Sequence, residues 1–175
     1  MDWYRTVFEV IDMRSFSNLW YWIALAVIWS TASHWVLGVP YDMVLKARRR
    51  GGQAEVDLHD LVRINCNRLL YIGRVSGLWM LAFGCALISG LFMLGFWYGI
   101  EFAQALIMFV FPMSIIGLLS MSTARLISDE GATGDLLYKR LGRHRLYTQI
   151  IGLLSVFVTA MWGMFHNLAV GPLGG

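Results

Sequence analysis

Four histidines, two cysteines and eleven carboxylates are the side chains from which this 175-residue chain could assemble a reactive site. Their spacing decides which chemistries are open. Haem held between facing helices needs two histidines at one depth, and His34 and His166 are the candidates inside apolar runs. At 1.5 Å per residue, His34 falls about 22 Å from the outer end of its run and His166 about 30 Å from the inner end of its own. They therefore lie toward opposite leaflets and do not share an iron. His34 reads as an interface histidine bonded to a neighbouring serine or carbonyl, and His166, beside Asn167, as a headgroup-level residue. Lipid hydrolysis or transfer needs a nucleophile with a base, or paired carboxylates on a metal. His59 stands beside Asp60 in "LHDLVR", and His144 in "GRHRL" has arginines for neighbours. Neither has a nucleophile at recognisable spacing, and both read as solvated. Cys66 and Cys85 form no CxxC or Cys/His cluster, so they read as inert thiols. "SDEGATGDL" carries Gly131, Gly134 and acidic residues without a phosphate-loop or EF-hand pattern, and reads as a turn. The expectation is a protein with no catalytic, cofactor-binding or metal-binding residues, no cofactor, and no enzymatic activity.

The elements that would carry these residues are set by hydropathy. The chain is 58% hydrophobic with mean hydropathy +0.60, above what a soluble domain needs to fill its core. Uncharged runs occupy Ser15–Tyr41, Val75–Ile100, Phe102–Ala124 and Leu146–Gly175, each long enough to cross a bilayer. The expected fold is an all-α membrane protein, one domain over 1–175, with four transmembrane helices near 19–39, 75–96, 102–124 and 146–168. "MDWYRTVFEVIDMRSFSN" lacks the pattern of a cleaved signal peptide. In it Trp3, Tyr4, Val7, Phe8 and Ile11 fall at helical spacing, which predicts an amphipathic interfacial helix. The span cores contain no Asp, Glu, Lys or Arg, which argues against an ion path. Glu101, at the hairpin "GFWYGIE", reads as a solvated turn residue.

Orientation follows from the cations. Of 14 Lys and Arg residues, Arg5 and Arg14 precede the first run and all the others fall in the first and third connections. By the positive-inside rule those connections are cytoplasmic and both termini periplasmic, in a multi-pass protein of a bacterial inner (plasma) membrane. Trp20, Tyr21, Trp22, Trp35, Tyr41, Trp97, Tyr98 and Tyr147 flank the runs as interfacial aromatics should. The net charge of +3 is concentrated at span ends, which points to lipid headgroups and away from nucleic acid. In "KARRRGG" the four cations stop translocation, at roughly 2.5–3.5 kcal/mol each, and Gly51-Gly52 let the chain turn. Connections 40–74 and 125–145 should carry short amphipathic helices, Leu58, Leu61, Val62 and Leu69 forming one apolar face. These helices pack on one another, lie on lipid or receive a partner. Partner or anionic-lipid contact would fall to Lys46, Arg48, Arg49, Arg50, Lys139, Arg140, Arg143 and Arg145. Small residues four apart, Gly73 and Gly77, and Ser155, Thr159 and Gly163, predict close helix packing within the bundle or, second, in a homo-oligomer. Pro112 should kink the third span, with Ser114 available to the freed carbonyls.

The segments "FEVIDMRSFSNLWYW", "SHWVLGVPYDMV", "INCNRLLYIGRVSGLW" and "FVTAMWGM" resemble a family of small alphaproteobacterial four-span inner-membrane proteins labelled as a component of the SufBCD complex. The resemblance covers nearly the full length and implies a membrane-associated accessory partner without assigning functional residues. The sequence therefore reads as a non-catalytic accessory or scaffold that docks a cytoplasmic or membrane protein partner, in contact with membrane lipids. A small transporter or lipid-handling protein is the alternative, with a polar cavity at Gln104, Ser114 and Asn167 as its mark. A haem-bearing electron carrier ranks third.

Overall fold

The computed structural model describes residue 16 and residues 19–169. The expected N-terminal amphipathic helix lies outside the described residues. Within them the chain is helical, apart from one minimal hairpin and the turns.

Helix α1, Leu19–His34, is built from the first uncharged run. It stops earlier than the expected 39, because Trp35–Val36 (β1) and Val39–Pro40 (β2) pair antiparallel across a two-residue turn. Both turn residues take positive φ, Leu37 at 52° and Gly38 at 74°, which matches the right-handed strand twist. A leucine there costs about 1–2 kcal/mol, and burial offsets it: Val36 and Val39 are among the least exposed side chains of the molecule. The Asn65 side chain donates to the Gly38 carbonyl at 3.2 Å and ties the hairpin to the next long helix.

Helix α2, Tyr41–Arg50, buries Val44 and Ala47 and leaves its cations outside. It ends where Gly51 and Gly52 both adopt φ 57°, Gly51 N–H donating to the Ala47 carbonyl at 2.9 Å. Helix α3, Gln53–Phe92, is one unbroken helix of 40 residues, about 60 Å long. The amphipathic segment expected before the second span is thus continuous with the apolar run expected to form that span. A five-residue π-helical turn, Met93–Trp97, closes it. Gly95 lies so close to the next helix that an added Cβ would sit 3.0 Å from the Gln104 backbone nitrogen. Helix α4, Glu101–Glu130, carries Pro112 in its interior and ends on Gly131 in the left-handed region. There Ala132 N–H donates to the Ile127 carbonyl at 3.1 Å, a Schellman-type stop. Helix α5, Gly134–Ala169, runs back along the bundle.

Helices α3 (with its π-helical turn), α4 and α5 are each long and apolar enough to cross a membrane. Helix α1, at 16 residues, is about 24 Å long. It is packed against the others: the Tyr21 hydroxyl donates to the Ala105 carbonyl at 3.2 Å, and the Trp29 ring covers Gly152, where a Cβ would meet Trp29 Cε3 at 2.7 Å.

The largest buried apolar cluster lies at the end of the bundle that holds the cations. Val36, Val39, Val44, Ala47, Leu58, Val62, Ala124, Leu137 and Leu141, from the hairpin and α2 to α5, pack there as one core. Packing against one another, one of the readings open for the basic connections, is realised here. The apolar part of α3 differs, because its most apolar stretch has no buried residue and Leu78, Trp79 and Phe83 stand out from the bundle.

Candidate functional site

The basic stack is built by α2. Val44 and Ala47 are pinned in the core, which fixes the helix's rotation and turns Lys46, Arg48, Arg49 and Arg50 outward, all exposed. These four cations have no ion pair among the described residues. Helix α2 runs antiparallel to the start of α3, so its C-terminal end lies beside Gln53. From there to Val75, where the uncharged run begins, α3 rises through 22 residues, about 33 Å.

The second basic connection behaves differently. Lys139 and Arg143 are exposed. Arg140 makes a two-pronged ion pair with Glu130 across the α4–α5 turn, and the Arg145 guanidinium lies 4.0 Å above the centre of the Tyr41 ring. Two of the eight cations named from sequence therefore hold the module together.

Three ionisable residues depart from the sequence reading. His144 is buried, 4% exposed, with Nε2 3.0 Å from Ser120 Oγ. It sits at an α4–α5 contact that no sequence spacing reveals, and its Nδ1 is buried without a partner. His59 accepts the Gly134 backbone N–H at 3.2 Å, so it closes the turn between α4 and α5. Glu101 accepts the Phe16 N–H at 2.7 Å and stands 3.3 Å from His166 Nε2, its side chain only 12% exposed. The hairpin carboxylate and the histidine near the end of α5 thus fasten the ends of α4 and α5 and the approach to α1. His34, by contrast, is half exposed and 3.8 Å from the Asp42 carboxylate.

Beside the Glu101 pair, Gln104 donates to the Gly95 carbonyl at 2.8 Å and accepts from the Trp162 indole at 3.0 Å. One amide joins the π-helical turn, α4 and α5. Pro112 removes the N–H that would serve the Met108 carbonyl, and Ser155 on α5 donates to that carbonyl at 3.2 Å. Ser114, the donor expected from sequence, serves Val110 at 2.8 Å. Thr159 donates to the Ser155 carbonyl at 2.7 Å and is fully buried. Gly163 lies under Phe16 and Trp22, and Gly73 under the end of Met121, whereas Gly77 faces open space.

The largest cleft described, about 750 Å³, opens between α3, α4 and α5 beside Pro112, Met108 and Ser155 and is lined mainly by apolar side chains. Gln104 and Ser114 are outside it, both committed to bonds within the bundle. Two smaller clefts of about 390 Å³ each flank the buried core at the basic end. No group of three or more His, Cys, Asp or Glu suited to a metal ion occurs among the described residues. Compared with protein-family models, curated proteins and solved structures, the chain matches none of them.

Proposed function

We propose that this protein is a membrane-anchored docking platform: a four-span integral protein of a bacterial inner membrane whose cytoplasmic module presents a rigid basic face to an acidic partner protein. In this reading α1, with 16 helical residues, is the fourth span, and the basic end faces the cytoplasm.

The observation that carries the reading is the height of the stack. On α2, which runs back from Gln53 alongside α3, Arg50 stands about 33 Å and Lys46 about 27 Å along α3 from Val75, whereas attraction to anionic headgroups fades within a Debye length of about 10 Å. Headgroups account poorly for cations held that far out. An acidic protein surface accounts for them well, since complementary charge steers encounter and fixes register. The buried core beneath α2 supports the same conclusion, because the face needs no ordering when a partner arrives.

A photoreactive amino acid at Arg49, activated in intact membranes, tests the proposal. The expected product is a discrete protein adduct that disappears when Lys46, Arg48 and Arg50 are changed to Ala, with membrane insertion unchanged. Adducts with phospholipid instead of protein would refute it.

A further inference from the structure

We propose that the cleft bounded by Trp35, the β1–β2 turn, α3 and Ser120 is a binding site for the phosphate headgroup of one anionic phospholipid. The cleft measures about 390 Å³ and is lined by Trp35, Leu37, Gly38, Asn65, Arg68, Leu69, Ile72 and Ser120. This inference rests on α3 and α4 crossing the membrane and is independent of the docking reading.

Depth is the first argument. Arg68 precedes Val75 by seven residues, about 10 Å along α3, which is the level of headgroups just outside the hydrocarbon. Trp35, about half exposed, lies in the same cleft, as an interfacial indole should. The same ruler that sets the α2 cations too far from lipid sets this cleft within reach of it.

Charge is the second. The lining contains one guanidinium and no carboxylate, and Arg68 is exposed with no ion pair among the described residues. The other 390 Å³ cleft contains Asp60, which already holds Arg63 at 3.0 Å. Only in the Trp35 cleft is the cation left for an incoming anion.

Donor supply is the third. The Asn65 amide has two N–H bonds and spends one on the Gly38 carbonyl. The Ser120 hydroxyl has a single proton and two neighbours, the Ile116 carbonyl at 2.8 Å and His144 Nε2 at 3.0 Å. When His144 donates from Nε2 to Ser120 Oγ, the serine proton is free to turn from Ile116 to a phosphate oxygen. Arg68, Asn65 and Ser120 thus offer three donors to one acceptor-rich group, while Leu69 and Ile72 continue toward the hydrocarbon as a wall for the glycerol and first acyl carbons. A buried histidine behind an interfacial serine has a use here that helix packing alone does not give it.

The experiment uses the full-length protein in nanodiscs of phosphatidylcholine, to which phosphatidylglycerol is added at rising fraction, with retained lipid counted by native mass spectrometry. One phosphatidylglycerol should be retained per chain in preference to phosphatidylcholine. Arg68→Gln should weaken retention about tenfold or more, as expected for losing a charge-assisted bond. Arg68→Lys should fall between, and Ser120→Ala should weaken retention severalfold. Arg74→Gln, on the same helix but outside the cleft, should leave it unchanged. Thermal unfolding in pure phosphatidylcholine, equal for the wild type and Arg68→Gln, shows that the variant is folded. Equal loss with Arg74→Gln, equal retention of the two lipids, or displacement of the lipid by millimolar inorganic phosphate would overturn the proposal; the last would identify a soluble phosphate as the ligand.

Discussion

The bond from Ser155 to the Met108 carbonyl makes a prediction in which two substitutions must interact. Pro112 leaves that carbonyl without an intrahelical donor, and the Ser155 hydroxyl reaches it from α5 at 3.2 Å. The site lines the apolar cleft between α3, α4 and α5, where water is a poor substitute. Ser155→Ala therefore strands a carbonyl. A buried unsatisfied group costs about 1–3 kcal/mol, while hydrogen bonds between membrane helices average about 0.6 kcal/mol with a maximum near 1.7. We expect about 1–1.5 kcal/mol, the upper part of the membrane range, because no second donor is at hand. In a Pro112→Ala background the residue-112 N–H is restored and serves Met108 along the helix. Ser155→Ala should then cost about 0.5 kcal/mol or less, giving a coupling energy near 1 kcal/mol. Equilibrium unfolding in bicelles of the wild type, both single variants and the double variant measures the cycle directly. Costs for Ser155→Ala that agree within about 0.3 kcal/mol in the two backgrounds would refute the reasoning.

Two further outcomes test the packing. Gly152→Ala drives a methyl to within 2.7 Å of the Trp29 ring and should destabilise by about 1–3 kcal/mol, Gly73→Ala should cost less because the flexible end of Met121 can yield, and Gly77→Ala should be nearly neutral; thermal melts of the three variants give the order. Leu58→Ala removes a fully buried side chain from the core at the basic end and should cost about 2–5 kcal/mol, seen as faster protease cleavage of the module in membrane vesicles while the spans stay protected.

Much of the fold can be read from composition. Long uncharged runs have few alternatives to helix, and the three long helices take up most of the last three runs. The turn at Gly51-Gly52 was legible because paired glycines after a basic helix end have few other uses. What escaped the sequence depended on partners distant in the chain. The end of α1 at His34 reflects a hairpin that is stable only because Val36 and Val39 reach a core made by four other elements. His144 and Glu101 looked solvated because their neighbours along the chain are polar or at a turn, yet their partners come from 24 and 65 or more residues away. Ser114 was the nearest hydroxyl to Pro112 in sequence, but its own helix directs it to Val110, and the carbonyl that needed a donor found one on α5. Gln104 gave one available signal, as an amide inside an otherwise apolar run.

Helix α3 carries one last implication. Between Gln53 and Phe92 it has neither a proline nor a break, so one hydrogen-bond ladder runs from the basic end of the bundle to the π-helical turn. Two glycines bring the helix against α4: Gly73 under the end of Met121, and Gly95, in the π-helical turn, against Gln104, 22 residues or about 33 Å further along. Because both lie on one continuous helical stretch, sliding α3 along α4 at one glycine slides it equally at the other.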